Sequence, residues 1–182
     1  FGVRDIRTVE IPVPKASSGD ILVKVEAAGV CGTDRHLFKG EFPSVPGTTL
    51  GHEFSGIVVD GAVDGLPLGS RVTCDPNTWC GKCEHCRRGR VNLCSENLAT
   101  GIGRDGGFAE YCAFPTSKAH LLPAGLDPLH GAFCEPLACT IHGMDLGAAR
   151  PGERVLIIGG GVIGLLAVQL AKLAGCDVML LT

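Results

Sequence analysis

Val155-Leu156-Ile157-Ile158-Gly159-Gly160-Gly161-Val162-Ile163-Gly164 reads as a strand, a glycine turn and the opening of a helix. Four aliphatic residues in a row, without polar alternation, suit a buried strand of a parallel sheet. The spacing Gly159-x-Gly161-x-x-Gly164 follows directly. In a strand–turn–helix, the first glycine makes the tight turn and the second lets backbone approach a pyrophosphate. The third lets helix and strand pack closely. A helix from about Val162 to Ala174 and a strand over Val178–Leu181 complete one βαβ unit. The pyrophosphate belongs over the positive end of that helix, so Gly159, Gly161, Val162, Ile163 and Gly164 are candidate dinucleotide-binding residues. A glycine-rich turn without a ligand is the competing reading. The acidic residue that would hold the ribose hydroxyls falls at or beyond Thr182, and the choice between NAD and NADP goes with it.

Working back from this unit, Arg150-Pro151-Gly152-Glu153 is a turn. Before it, Glu135-Pro136 opens a helix, with proline in the first turn and a carboxylate at the positive end. Leu137, Ile141 and Met144 continue at helical spacing, and Gly147 stops it. Upstream the period shortens to that of strands. Ile6 to Pro14 reads as an edge strand, and Ile21 to Ala27 alternates as a half-buried one. Phe54–Val59 and Arg71–Cys74 follow, then Gly107–Phe114 behind a Gly106-Gly107 turn. Short strands between Gly/Pro turns predict a small barrel or sandwich. The expected organisation is mixed: a β-rich domain over 1–147, then the start of a parallel α/β domain over 148–182.

The bulk numbers exclude several classes. A net charge of -3 with mixed signs offers no footprint for nucleic acid or an anionic membrane. The longest apolar stretch, Val155 to Ala174, is broken by glycines and carries Gln169 and Lys172, so it does not read as a spanning helix. The chain starts at Phe1 and stops directly after Val178–Leu181, which reads as an internal piece of something longer. A targeting peptide upstream would lie outside it.

Ten cysteines would suit a disulfide scaffold in a short secreted chain, but four sit at Cys80, Cys83, Cys86 and Cys94. That spacing is too tight to pair easily within itself. Four thiolates close a tetrahedral zinc shell with no position left for substrate, so the lobe at about 75–99 is expected to hold structural zinc. An iron–sulfur cluster or disulfides are the alternatives. Lys82, Arg87, Arg88 and Arg90 are placed to offset the anionic centre. Reduced thiols point to a cytoplasmic compartment.

A second donor set, Cys31, His52 and Glu53, offers a thiol, an imidazole and a carboxylate, the first-choice ligands of zinc. Thr33 and His36 stand close by in sequence with groups that can carry a proton. Singly, Cys31 could be a core thiol and His52 a satisfied loop histidine. Together with Glu135 and a nucleotide turn, the set predicts a catalytic zinc and metal-assisted hydride transfer. Cys74, Cys112, Cys139 and Cys176 read as small apolar fillers. Cys134 stays open because it adjoins Glu135.

These motifs, with Gly29-Val30-Cys31-Gly32-Thr33-Asp34, Gly51-His52-Glu53, Gly106-Gly107-Phe108-Ala109-Glu110-Tyr111 and Glu135-Pro136-Leu137, resemble the zinc-dependent medium-chain alcohol dehydrogenases, in the expected order along nearly the whole chain. Glu135-Pro136-Leu137 leans toward the sorbitol, xylitol and threonine dehydrogenase-like branch. The resemblance implies a GroES-like β-barrel catalytic domain followed by a truncated Rossmann NAD(P)-binding domain. It implies Cys31, His52, Glu53 and Glu135 around the catalytic zinc, with Glu53 a ligand in the polyol-type branch or an exchanging one in others, and Glu135 the remaining ligand, direct or through a water. Asp34 would fix the His52 tautomer, Thr33 would pass on the substrate proton, and His36 would carry it outward. It further implies an alcohol, polyol or sugar substrate, a homodimeric or homotetrameric full-length parent, and a fragment that by itself does not turn over. A non-catalytic zinc-stabilised module is the rival reading.

Overall fold

The computed structural model describes every residue except Phe1 and Ser44. The chain divides into two compact units, Phe1–Phe133 and Cys134–Thr182.

The first unit is built on a five-stranded antiparallel half-barrel. Its strands are β1 (Asp20–Gly29), β2 (Glu53–Asp60), β3 (Arg71–Cys74), β6 (Tyr111–Pro115) and β7 (Ala119–Leu121), in the order β6-β1-β2-β3-β7. Between them lie α1 (Gly32–Lys39) and the small lobe of β4 (Asn77–Thr78), α2 (Glu84–Arg87) and β5 (Leu98–Ala99). A short helix, α3 (Pro128–Ala132), closes the unit, its first turn capped by Asp127. The core is made by the inward faces of the strands. Ile21, Val23, Phe54, Val58, Val72, Cys74, Cys112 and Phe114 are all buried in one cluster. Phe54 and Phe114 meet edge to face, centroids 5.5 Å apart, a pairing that adds about 0.5–1.5 kcal/mol beyond area burial.

Strands β1, β2 and β3 lie where the sequence places them. Ile6 to Pro14 does not form a strand. No partner among the described residues pairs with it, and Val9, Ile11 and Val13 stay exposed. The expected strand from Gly107 begins only at Tyr111, because the preceding glycines serve another contact, described below. Helix α1 is absent from the sequence reading. Its apolar face is narrow, with Leu37 its one buried apolar residue, and its signals are at the ends. Cys31 is N-cap, Asp34 lies in the first turn, and Gly40 in the left-handed region ends it.

The second unit holds α4 (Cys134–Gly147), β8 (Arg154–Ile158), α5 (Val162–Leu173) and β9 (Asp177–Leu181). Strands β8 and β9 are parallel, in register from Arg154↔Asp177 to Ile158↔Leu181, and α5 is the crossover. The βαβ unit is therefore as expected, but β8 is not a buried strand. Among the described residues only β9 pairs with it, so Leu156 and Ile158 on its second face are exposed. Compact packing also groups α4 with this unit, whereas the sequence boundary falls after Gly147. Ile141 and Met144 of α4 share a hollow with Leu170 and Ala174 at the end of α5. No described helix is long and apolar enough to cross a membrane.

Candidate metal centre and nucleotide cradle

Three donors of different chemistry converge in the first unit. The ligand atoms of Cys31, His52 and Glu53 all lie within 4.8 Å of one another. Cys31 ends the turn after β1, while His52 and Glu53 enter β2, which pairs antiparallel with β1, Gly29 opposite Glu53. Strand pairing thus brings together residues that are far apart in sequence. Gly29 leaves the space that Glu53 fills. A Cβ there would lie 2.5 Å from Glu53 Oε2.

Asp34, itself buried, ties the thiol and the imidazole together. Its Oδ2 accepts the Cys31 backbone N–H at 2.8 Å, and its Oδ1 faces His52 Nδ1 at 3.6 Å. Both Oδ1 and Nδ1 are buried without a hydrogen-bond partner. With Nδ1 turned to Asp34, Nε2 is the nitrogen left for a metal, the arrangement that fixes tautomer and ring direction around bound zinc. Burial pushes the Cys31 thiol up, against donors from Thr33, and the Glu53 carboxylate pushes the same way. A cation among these groups would reverse that balance. The donor set fits zinc.

The loop that carries His52 is strapped down by the glycine-rich stretch at 101–108. Thr49 N–H donates to Asp105 Oδ1 at 2.7 Å. Gly106, Gly107 and Phe108 N–H groups donate to the carbonyls of Thr49, Gly51 and Leu50. A Cβ at Gly101 or Gly106 would strike the Gly51 carbonyl, and one at Gly107 would meet the Phe54 ring at 2.5 Å. The glycine pair is therefore spent on close approach to the metal loop, not on a hairpin. Asp105 and Gly101 escaped the sequence reading, since only tertiary pairing tells a positioning glycine from a turn glycine.

Thr33 and His36 lie on α1, three residues apart and so on one face. His36 is well exposed, its Nδ1 2.7 Å from Glu41 Oε2. Glu135 lies at the start of α4 in the second unit, where its Oε1 accepts from the Cys139 thiol at 3.5 Å. Cys139 is exposed, so it is not an apolar filler, whereas Cys74, Cys112 and Cys176 are buried. The helix turns Cys139 outward, one turn beyond Glu135.

In the lobe, the Sγ atoms of Cys80, Cys83, Cys86 and Cys94 likewise lie within 4.8 Å of one another, and none of the four is in a disulfide. Backbone N–H groups point at sulfur: Cys83 at Cys80 (3.3 Å), Cys86 at Cys83 (3.5 Å), and Cys80 and Glu96 at Cys94 (3.3 and 3.4 Å). The N–H groups of Cys86 and Ser95 hold the Cys83 thiol down to about 5, and that of Cys80 holds Cys94 low. Burial, then donation to Cys83, pushes Cys86 up to about 12. Donors aimed at thiolates suit a closed metal shell. Of the basic residues expected to offset it, Lys82 pairs with Glu96 at 3.0 Å and Arg88 with Glu84 at 2.9 Å.

Between β8 and α5, Gly159 takes φ +104° and its N–H donates to the Leu181 carbonyl at 2.8 Å. A Cβ on Gly164 would land on the Gly159 carbonyl. Gly161 caps α5 with no side-chain hydrogen bond, and a Cβ there would meet nothing within 4 Å. Open space over uncapped backbone N–H groups at Gly161, Val162 and Ile163 suits an anion such as a pyrophosphate.

The profile of the alcohol dehydrogenase GroES-like domain matches residues 17–124, more than half of the chain. The chain belongs to this family. Within it, the GroES-like chain is 41% identical over 174 residues to a sorbitol dehydrogenase of Halalkalibacterium halodurans, covering 94% of this chain and 51% of the relative. It is 40% identical to an L-threonine 3-dehydrogenase of Streptomyces coelicolor, over 95% and 52% of the two chains. Among solved structures, a protein described as a zinc-binding dehydrogenase, from Sinorhizobium meliloti 1021 and bound to NADP, superposes with TM-score 0.95. The identity is 57%, over 98% of this chain and 53% of that one. Galactitol-1-phosphate dehydrogenase of Escherichia coli gives TM-score 0.90 at 34% identity, over 98% and 53%. This GroES-like chain spans about half the length of the curated relatives it matches.

Proposed function

We propose that this chain is the zinc-binding catalytic part of a dehydrogenase that moves a hydride between a secondary alcohol, a polyol or sugar, and NAD(P). The observation that carries the reading is the convergence of Cys31, His52 and Glu53 beside Asp34 Oδ1 and His52 Nδ1, two buried atoms without a hydrogen-bond partner. The names of the relatives support the substrate class. When bound, zinc supplies a Lewis acid for the substrate oxygen and the nicotinamide takes the hydride.

The chain's own residues do the rest. Cys31, His52 and Glu53 hold the metal, with Glu135 kept as a further ligand on the sequence resemblance. Asp34 orients His52. Thr33 Oγ1 receives the substrate proton and passes it toward His36, which exchanges it with solvent. Gly159, Gly161, Val162, Ile163 and Gly164 seat the pyrophosphate of the coenzyme, and the four-cysteine lobe keeps a structural zinc. The proposed domains are 1–147 and 148–182, and the complete enzyme is proposed to be a cytoplasmic homodimer or homotetramer. Oxidation of a 3-hydroxy amino acid is the second reading, since threonine dehydrogenases are among the relatives.

Counting metal and assaying turnover of the complete enzyme tests this. One zinc for each of the two donor groups, with Cys31→Ala losing one and all activity on a panel of polyols, sugars and threonine, is the expected result. A single zinc, untouched by Cys31→Ala, and no activity on any alcohol would establish the non-catalytic module instead.

A further inference from the structure

Helix α1 ends in a way that returns one side chain to its own last turn. Gly40, at φ +76°, lets its N–H donate to the Leu37 carbonyl at 3.1 Å, and the next N–H, of Glu41, reaches the His36 carbonyl at 2.9 Å. These two bonds form a Schellman turn, in which the residue after the glycine lies over the residue five before it. That pair is usually apolar. Here it is His36 and Glu41, with Nδ1 and Oε2 2.7 Å apart. The glycine is required twice over, by its φ and because a Cβ would meet the Val3 side chain at 2.7 Å.

We propose that Glu41 is a positioning residue that holds His36 in the Nδ1–H tautomer, leaving Nε2 as the free basic nitrogen. A carboxylate has only lone pairs to offer, so a neutral imidazole facing it at this distance must present N–H there. Free histidine in water prefers the proton on Nε2, so the contact reverses the ordinary preference. The difference between tautomers is small, and one charge-assisted hydrogen bond suffices to reverse it, although such an exposed pair adds little to folding stability. Glu41 is ionised for the task. Its hydrogen bond to His36 holds its carboxyl below the usual range, aided by Lys39, whose Nζ is 3.9 Å from Oε1, and by Arg35. The consequence for turnover rests on the reading of His36 as the outward end of the proton route. With Thr33 one turn back on the same helix face, Nε2 is the nitrogen able to accept, and Nδ1–H, backed by Glu41, is stabilised as the ring charges.

Nitrogen-15 NMR of the histidine rings reads the tautomer in the chain itself, above the pH at which imidazole charges. His36 is expected as Nδ1–H in the parent, unchanged in Glu41→Gln, whose amide oxygen still accepts, and switched to Nε2–H in Glu41→Ala. Nε2–H in the parent, or no switch in Glu41→Ala, overturns the assignment. In the complete enzyme, Glu41→Ala is expected to lower kcat roughly tenfold with KM unchanged, and Glu41→Gln to restore most of it. An unchanged kcat removes the role in turnover. The expected tautomer switch in an enzyme inactive on every alcohol supports Glu41 and sinks the hydride-transfer reading instead.

Discussion

Replacing Gly29 by alanine separates metal binding from folding, because the atoms nearest the added methyl all belong to Glu53. Gly29 sits at the end of β1, opposite Glu53. The new Cβ would be 2.5 Å from Glu53 Oε2 and 3.3 Å from Glu53 Cβ, where ordinary contact begins near 3.4 Å. The carboxylate is the end of a flexible side chain, so it retreats, by about 0.9 Å on these distances. Zinc tolerates roughly ±0.2 Å in a ligand distance, so Glu53 leaves the cluster. Displaced support of this kind weakens metal binding about 10–100-fold, or roughly 1.4–2.7 kcal/mol. The fold itself should lose nothing, since alanine in a strand is about 0.5–1 kcal/mol better than glycine. Competition with a chromophoric chelator measures the affinity, with the four-cysteine site as internal reference, and urea unfolding of the metal-free protein measures the fold. In a Glu53→Gln background, Gly29→Ala should cost little further affinity, because the two changes act through one carboxylate. Unchanged affinity in Gly29→Ala, or an equal additional loss in the double variant, would refute the reasoning.

Three further outcomes follow from the first unit. Lys118 is buried, its Nζ 2.8 Å from Asp75 Oδ2 and 3.1 Å from the centroid of the Trp79 ring, while Asp75 is partly open to water. Asp75→Ala, which strands the ammonium, should cost about 3–5 kcal/mol, and Lys118→Met, which leaves a hydratable carboxylate, about 1 kcal/mol; denaturant melts giving the reverse order would contradict this. Burial pushes the Cys112 thiol up to about 12 and Cys74 in the same direction, so the native state keeps protons that the unfolded chain releases from about 9. Stability should therefore fall between about pH 9 and 12, by up to ~1.4 kcal/mol per pH unit for each thiol, and Cys112→Ala should flatten that slope; an unaltered slope in unfolding titrations counts against it. Trp79 is the one tryptophan of the sequence and adjoins Cys80, so its emission should change when the lobe loses metal and stay constant in Cys31→Ala; the opposite pattern would misplace the two sites.

The sequence alone carried whatever chemistry or short-range periodicity writes down. Cys80, Cys83, Cys86 and Cys94 lie within one short segment, so spacing predicts their convergence, and the thiols do meet. The βαβ unit was legible for the same reason. Its strand, glycines and helix are consecutive, and Gly159 and Gly164 stand where backbone comes too close for a side chain. Cys31, His52 and Glu53 were nominated by donor type, but only the antiparallel pairing of β1 with β2 brings them together, with Gly29 making room. Three further features came from the structure alone: the strap from Asp105 to Thr49, the hydrogen bond by which Asp34, already expected beside His52, also holds the Cys31 backbone, and the return of Glu41 onto His36. Each depends on where a chain turn delivers a polar group. Composition and period do not encode that direction, whereas backbone dihedrals and strand register do. Burial was misjudged for the same cause. The run Val155–Ile158 is apolar on both faces, but how much of it is covered depends on which layers lie beside it.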